Sequence, residues 1–334
     1  MHAAAIKFAL KRGALVAAAN WPVVTIQFIA ESVFKALLTV PVIGAASLVT
    51  LLVGGSAREL LASGIQGALT SAIDALAAHP DALGAYMLGL VVVMIGGSSL
   101  MFFVKGGTVW TLVEAESQTA SLEAAPLSFA GVRQAARFTV DGFLAACDRY
   151  ARRFLRLGIF LLVIYAVSGA VYLAALAWLL DDPRWTVGGS AVAALLSLGF
   201  GAWITVVNLL YLLTQVLVVT GNSSVRRAAA ALPGLLIAER HLIGGLFLVM
   251  LALVVCATIA SVLATGALGF IGFVPVVGLA VLPLQLLAWL ARGFLFQFLG
   301  LAALGAYAGV ARRAVAADAA GVPALPGVGT PREV

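Results

Sequence analysis

The sequence predicts an all-α, polytopic transmembrane bundle of about six spans with interfacial amphipathic helices. Three observations predict it. Residues 83–104, 157–180, 185–225 and 242–291 contain no Asp, Glu, Lys or Arg. Hydrophobic residues make up 63% of the 334-residue chain and charged residues only 10%, against about a quarter charged in soluble domains. Lys and Arg collect in alternate connections. A bilayer core about 30 Å thick is crossed by roughly 20 apolar helical residues. The charge-free runs, with 36–54 and 293–311, therefore hold six spans, at roughly 36–55, 83–104, 157–180, 198–220, 242–264 and 288–311.

The order of threading follows from the basic residues. The segment before the first span, the 105–156 and 221–241 connections and the tail after 311 hold 17 of the 20 Lys and Arg. The opposite connections hold Arg58 and Arg184. By the positive-inside rule both termini are expected in the cytoplasm. Lys7, Lys11 and Arg12 before an apolar stretch imitate a signal peptide, but Trp21, Pro22 and Gln27 interrupt it, so the segment is expected to remain in the mature protein. The net charge of +6 lies beside spans, which speaks for orientation and against a nucleic-acid partner.

Along the connections, polar positions Arg133, Arg137, Asp141, Asp148 and Arg152 recur at helical spacing among Val132, Ala136, Val140, Phe143, Cys147 and Phe154. The pattern predicts one amphipathic interfacial helix over 129–154. Residues 58–78 repeat the pattern on the opposite side. Val132-Arg-Gln-Ala-Ala echoes Val225-Arg-Arg-Ala-Ala, and Arg153, Leu155, Gly158, Phe160 and Leu161 align with Arg240, Leu242, Gly245, Phe247 and Leu248. These matches predict three parallel units, each a cytoplasmic helix followed by two spans. The sixth apolar stretch, 276–311, is longer than the bilayer requires and must tilt, kink at Pro283 or protrude. Residues 1–313 are expected to form a single transmembrane domain. The Pro- and Gly-rich 314–334 is expected to be a disordered cytoplasmic tail.

Candidate chemistry is sparse. Arg292 in a span is a functional hypothesis by default, yet it stands 20 residues before Arg312 and can equally anchor the helix at the outer interface. Glu31 and Lys35 are an i,i+4 pair: a buried ion site if the first span begins at Trp21, an interfacial pair if it begins at Ala36, and the repeat favours the latter. Asn208, Gln215 and Gln285, with Gln297, suit hydrogen bonds between helices, and a polar pathway is the alternative. Gly305-x-x-x-Gly309 reads as close packing. Walker A, His-Glu-x-x-His and Gly-x-Ser-x-Gly patterns do not occur, so no cofactor is expected. His2, His79 and His241 are too dispersed for a shared metal site, and Cys147 and Cys256 for a disulfide framework.

The Val-Arg-x-Ala-Ala helices alternating with spans entered through Arg-x-Leu-x-x-Gly-x-Phe-Leu resemble the six-helix membrane domain attached to some bacterial glycerophosphodiester phosphodiesterases. The catalytic barrel of those enzymes is absent, so the resemblance implies a membrane module that handles or senses lipids and transfers no hydrolase activity. Ala- and Arg-rich, Lys-poor composition fits the inner membrane of a high-GC bacterium. The expected function is a non-enzymatic module binding membrane lipids, or a protein partner through cytoplasmic helices 129–154 and 225–241. The alternative is a small-molecule permease with a polar site between the fourth and sixth spans.

Overall fold

The computed structural model describes residues 2–53, 78–118, 129–181, 188–272 and 275–319, which form nine α-helices and no strand. They are α1 (His2–Ala19), α2 (Trp21–Val53), α3 (Pro80–Gln118), α4 (Phe129–Ala135), α5 (Val140–Asp181), α6 (Gly188–Thr220), α7 (Val225–Ala238), α8 (Arg240–Gly272) and α9 (Pro275–Ala319). A shorter helix followed by two long ones occurs three times in this order. Among the described residues, six stretches are long and apolar enough to cross a bilayer: Trp21–Pro41, Leu83–Gln118, Val140–Leu179, Ala191–Thr220, Arg240–Phe270 and Pro283–Ala316. The chain is a multi-pass, all-α membrane protein.

Four expectations change. Residues 129–154 are not one interfacial helix: α4 ends at Ala135, and α5 begins at Val140 and runs on unbroken. The face carrying Phe143, Cys147 and Phe154 is buried against protein rather than laid on lipid, because Gly107 of α3 lets Cys147 and the Phe143 ring approach its backbone. The 225–241 segment likewise ends at Ala238, with Glu239 as cap before α8 starts. Helix α9 passes through Pro283 and continues to Ala319, so 314–319 belong to a helix and not to a tail. Helix α2 starts at Trp21 and passes through Pro41, and its membrane-length apolar stretch is Trp21–Pro41, so Glu31 and Lys35 lie within that stretch and not before one that begins at Ala36. The 58–78 helix and residues 320–334 lie outside the described residues.

The chain divides into two compact units, residues 28–104 and residues 1–27 with 105–334. In the first, the Phe34 ring lies so close over Gly97 that a Cβ there would overlap it. In the second, burial is concentrated at one level of the long helices, with Leu179 and Val281 buried apart from it. The main buried positions run from Ala9 to Ala19 in α1, Thr108 to Glu116 in α3, Phe143 to Leu157 in α5, Val207 to Val219 in α6, Ile243 to Met250 in α8 and Leu301 to Ala311 in α9. No residue from 159 to 178 or from 251 to 270 is buried. These open stretches are the charge-free apolar ones, and about 20 residues of each match the bilayer core. Helix α5 has 42 residues and is about 63 Å long, so its packed N-terminal part extends beyond the hydrocarbon. There, water makes burial of apolar side chains favourable; inside the bilayer it does not.

The packed layer is fastened by polar side chains at its turns. Asn20, fully buried between α1 and α2, donates through Nδ2 to the carbonyls of Val16 (2.9 Å) and Ala135 (3.0 Å). Its Oδ1 accepts the backbone N–H of Arg137 (2.8 Å) and Phe138 (3.1 Å). One side chain thus satisfies the break that separates α4 from α5. Thr139 Oγ1 accepts from Gly142 N and caps α5, and Ser224 caps α7 by accepting from Arg227 N. Asn222 has φ 41°, a left-handed conformation that Asn tolerates. Arg153 holds it there, donating from Nη1 to Asn222 Oδ1 (2.9 Å) and the Ser223 carbonyl (3.2 Å).

Candidate functional site

The site is built where α1, α3 and α9 meet. Gly13 lets α1 lie directly on α9: a Cβ at this position would stand 2.2 Å from the Ala302 carbonyl oxygen and 2.6 Å from Ala306 N. A Cβ on Gly305 would stand 3.2 Å from Gly13 Cα. One turn further, Gly309 leaves room for Glu116 of α3, whose Oε1 would be 2.8 Å from a Cβ there. The Gly305-x-x-x-Gly309 spacing therefore serves packing at one glycine and seats a carboxylate at the other.

Glu116 is 2% exposed and meets two guanidiniums. Arg12 Nη2 is 2.9 Å from Glu116 Oε1 and donates to the Glu116 carbonyl at 3.0 Å. Arg312 Nε is 3.2 Å from Glu116 Oε2. Burying a lone carboxylate costs several kcal/mol, and two flanking guanidiniums offset it. Arg313, exposed, donates from Nε to the Gly309 carbonyl at 3.2 Å. Among the described residues, the terminal nitrogens of Arg312 and Arg313 make no protein hydrogen bond. A cavity of about 140 Å³ opens between these groups, lined by Phe8, Ala9, Arg12, Glu116, Gly305, Ala306, Gly309, Arg312 and Arg313. Three cations and one anion face it. Such a recess can hold an anion by charge-assisted hydrogen bonds from guanidinium forks.

The residues singled out in the sequence lie elsewhere. Asn208 accepts from Tyr165 Oη at 2.5 Å, one rung of a polar seam between α5 and α6. Trp203 Nε1 donates to Ser168 Oγ at 2.9 Å, and Tyr172 and Ser197 share a hydroxyl bond of 2.8 Å. Gln215 is buried at 3% exposure and its Nε2 has no hydrogen-bond partner among the described residues. Nearby on α6, Tyr211 carries Lys105 Nζ 5.1 Å from its ring centre. Gln285 Nε2 donates to the Leu268 carbonyl of α8 at 3.4 Å. Arg292 is exposed and lies over the Phe296 ring of its own helix at 5.7 Å. Glu31 and Lys35, in the other unit, form an ion pair one helical turn apart. Among the described residues no hydrogen bond or ion pair joins any two of Arg292, Asn208, Gln215 and Gln285, and none of them lines the cavity. No group of three or more His, Cys, Asp or Glu there could hold a metal ion.

Sequence reasoning passed over Arg12, Glu116 and Arg312 because each stands in a charged stretch that reads as a solvated flank. The available signal was Gly13 together with Gly305 and Gly309, three small residues beside Arg12 and Arg312. No family model matches the chain, and no curated protein or solved structure matches it.

Proposed function

We propose that the chain is a non-enzymatic module of a bacterial inner membrane that binds an anionic lipid at the cytoplasmic end of its helices. The observation that carries this reading is the cavity lined by Arg12, Arg312 and Arg313 together with Glu116. By the distribution of Lys and Arg, α1 and the ends of α3 and α9 face the cytoplasm, where headgroups are anionic. The apolar stretches beyond the packed layer supply acyl-chain surface on the same helices, with Ile159, Phe160 and Val163 more than half exposed. The resemblance to a membrane domain of phosphodiesterases acting on lipid-derived diesters is in keeping with a lipid ligand.

The test is retention. The full chain, extracted from a bacterial membrane in mild detergent and examined by native mass spectrometry, is expected to carry anionic lipid, and Arg312→Gln with Arg313→Gln to lose it. Equal retention by wild type and double variant would overturn the reading. A second reading, a small-molecule permease, draws on Gln215, whose buried Nε2 has no hydrogen-bond partner among the described residues and which shares α6 with the Asn208 rung.

A further inference from the structure

Independently of the cavity, we propose that two copies of the chain pair through the polar seam of α5 and α6, each Asn208 donating to the Asn208 of the other copy. The seam lies at the depth of the hydrocarbon. Tyr165 follows Arg156, the last charged residue of α5 before the apolar run, by nine residues, or about 13 Å of helix. Asn208 is bonded to Tyr165 and so shares its depth, within a stretch of α6 apolar enough to cross a bilayer. It is nevertheless exposed, as are Trp203 and Ser197 of the other two rungs.

Only part of the Asn208 amide is used inside the chain. Its Oδ1 accepts from Tyr165 Oη, and its Nδ2 donates to no described residue. At a soluble surface water would take those two N–H groups; acyl chains offer no acceptor, which makes an unsatisfied polar group costly at this depth. Asn is too short to reach the interface as Lys and Arg do. An acceptor on another molecule at the same level removes the cost, and polar side chains of this kind join membrane helices. A second copy brings one there by symmetry. A two-fold axis along the membrane normal sets both Asn208 side chains at one level, where each Oδ1 has a second lone pair for the other's Nδ2. Residues 157–180 and 185–225 contain no Asp, Glu, Lys or Arg, so the two copies meet without charge repulsion. Gly201, two turns from Asn208 on the same face of α6, has nothing within 4 Å of its Cβ position, so a neighbouring backbone can come close.

The experiment uses the full chain in phosphatidylcholine vesicles. Donor or acceptor dye is placed on the thiol introduced by Asp148→Cys, at an exposed position, with Cys256→Ser; Cys147 is fully buried and stays unlabelled. Energy transfer between copies, followed as the protein is diluted in lipid, gives the dissociation constant of the pair. Asn208→Leu is expected to raise it about tenfold, the effect of two hydrogen bonds between membrane helices. Asn208→Gln, which keeps donor and acceptor, is expected to stay nearer to wild type than to Asn208→Leu. Wild-type transfer no higher than random encounter in the bilayer, or transfer unchanged in Asn208→Leu, would overturn the pairing. Rapid reaction of Asn208→Cys with a membrane-impermeant maleimide in the vesicles would also overturn it, because water would then serve the amide. Arg312→Gln with Arg313→Gln is expected to leave the transfer unchanged, so the pairing and the lipid reading of the cavity fail separately.

Discussion

Replacing Gly13 with alanine adds one methyl group at the point where α1 lies closest to α9. That methyl would stand 2.2 Å from the Ala302 carbonyl oxygen, 2.6 Å from Ala306 N and 3.0 Å from Ala306 Cβ. Two of these atoms are backbone, so no change of rotamer relieves the overlap. Restoring ordinary contact at 3.4 Å parts the helices by about 1 Å, which forfeits a quarter to a half of each dispersion well along the seam. Overpacking of this kind costs about 1–3 kcal/mol, and alanine returns up to about 1 kcal/mol of helix propensity. The net loss is about 1–2 kcal/mol. Two comparisons set the scale. At Gly245 the added methyl would meet Ile6 Cδ1 at 2.3 Å, a flexible tip that can swing aside, so Gly245→Ala is near neutral. At Gly234 nothing lies within 4 Å, so Gly234→Ala stabilises by up to about 1 kcal/mol. Cys147 is fully buried in the packed layer and Cys256 is exposed. In a Cys256→Ser background, thiol labelling of Cys147 against denaturant therefore reports opening of this layer alone. The expected order of resistance is Gly234→Ala, Gly245→Ala, then Gly13→Ala. Gly13→Ala as resistant as Gly234→Ala would refute the reasoning.

The same labelling assay checks three further substitutions. Asn20→Ala removes four hydrogen bonds from a site with no exposure and should cost about 2–6 kcal/mol at roughly 0.5–1.5 kcal/mol each; a loss below about 1 kcal/mol would mean that α4 and α5 are separated by something else. Glu116→Gln leaves Arg12 and Arg312 facing a neutral amide and should cost about 2–3 kcal/mol, below the range for fully buried pairs because Arg312 is 31% exposed. Asn222→Val places a β-branched residue in a left-handed conformation and loses the Arg153 bond, for about 2–3 kcal/mol. Asn222→Gly loses only the bond, so equal destabilisation by the two would deny the backbone argument. In the seam, Asn208→Leu should shift stability by only about 0.6 kcal/mol, the average for hydrogen bonds between membrane helices. Denaturation of α5 and α6 followed by Trp203 fluorescence measures it, and a loss above about 2 kcal/mol would give this residue a larger part than a rung.

The fold class was legible because the bilayer imposes it: a charge-free run of 20 residues has few other places to go. The repeat pairs Arg153, well inside α5, with Arg240, the first residue of α8, so it marks no common helix end. The ends of the helices were not legible. Charged residues such as Asp148 and Arg152 signal the end of hydrocarbon, not the end of helix, and α5 carries both on its packed, extramembrane part. The interfacial reading of 129–154 failed for a related reason, since an apolar stripe is the same whether lipid or Gly107 covers it. Glu116 was hidden because its neutralising partners come from α1 and α9, far away in sequence, and periodicity reports only on neighbours. Asn208 and Gln285 each bond to a neighbouring helix, but their partners, Tyr165 and the Leu268 carbonyl, are separate. Shared polarity along a sequence does not imply a shared cavity.

The seating of Gly13 against Ala302 and Gly305 also has a meaning in time. The ribosome adds about 5–20 residues per second, so α1 emerges roughly 15–60 s before the surface that it packs on. Throughout that interval Arg12 lacks Arg312 as a neighbour across Glu116, and the glycine stripe of α1 faces something other than α9. The packed layer is completed only when the last long helix has been delivered. Premature termination before residue 302 would therefore leave inserted spans with an unfinished packed layer, a natural substrate for membrane quality-control proteases, and release of α1 from protease sensitivity would mark the moment of assembly.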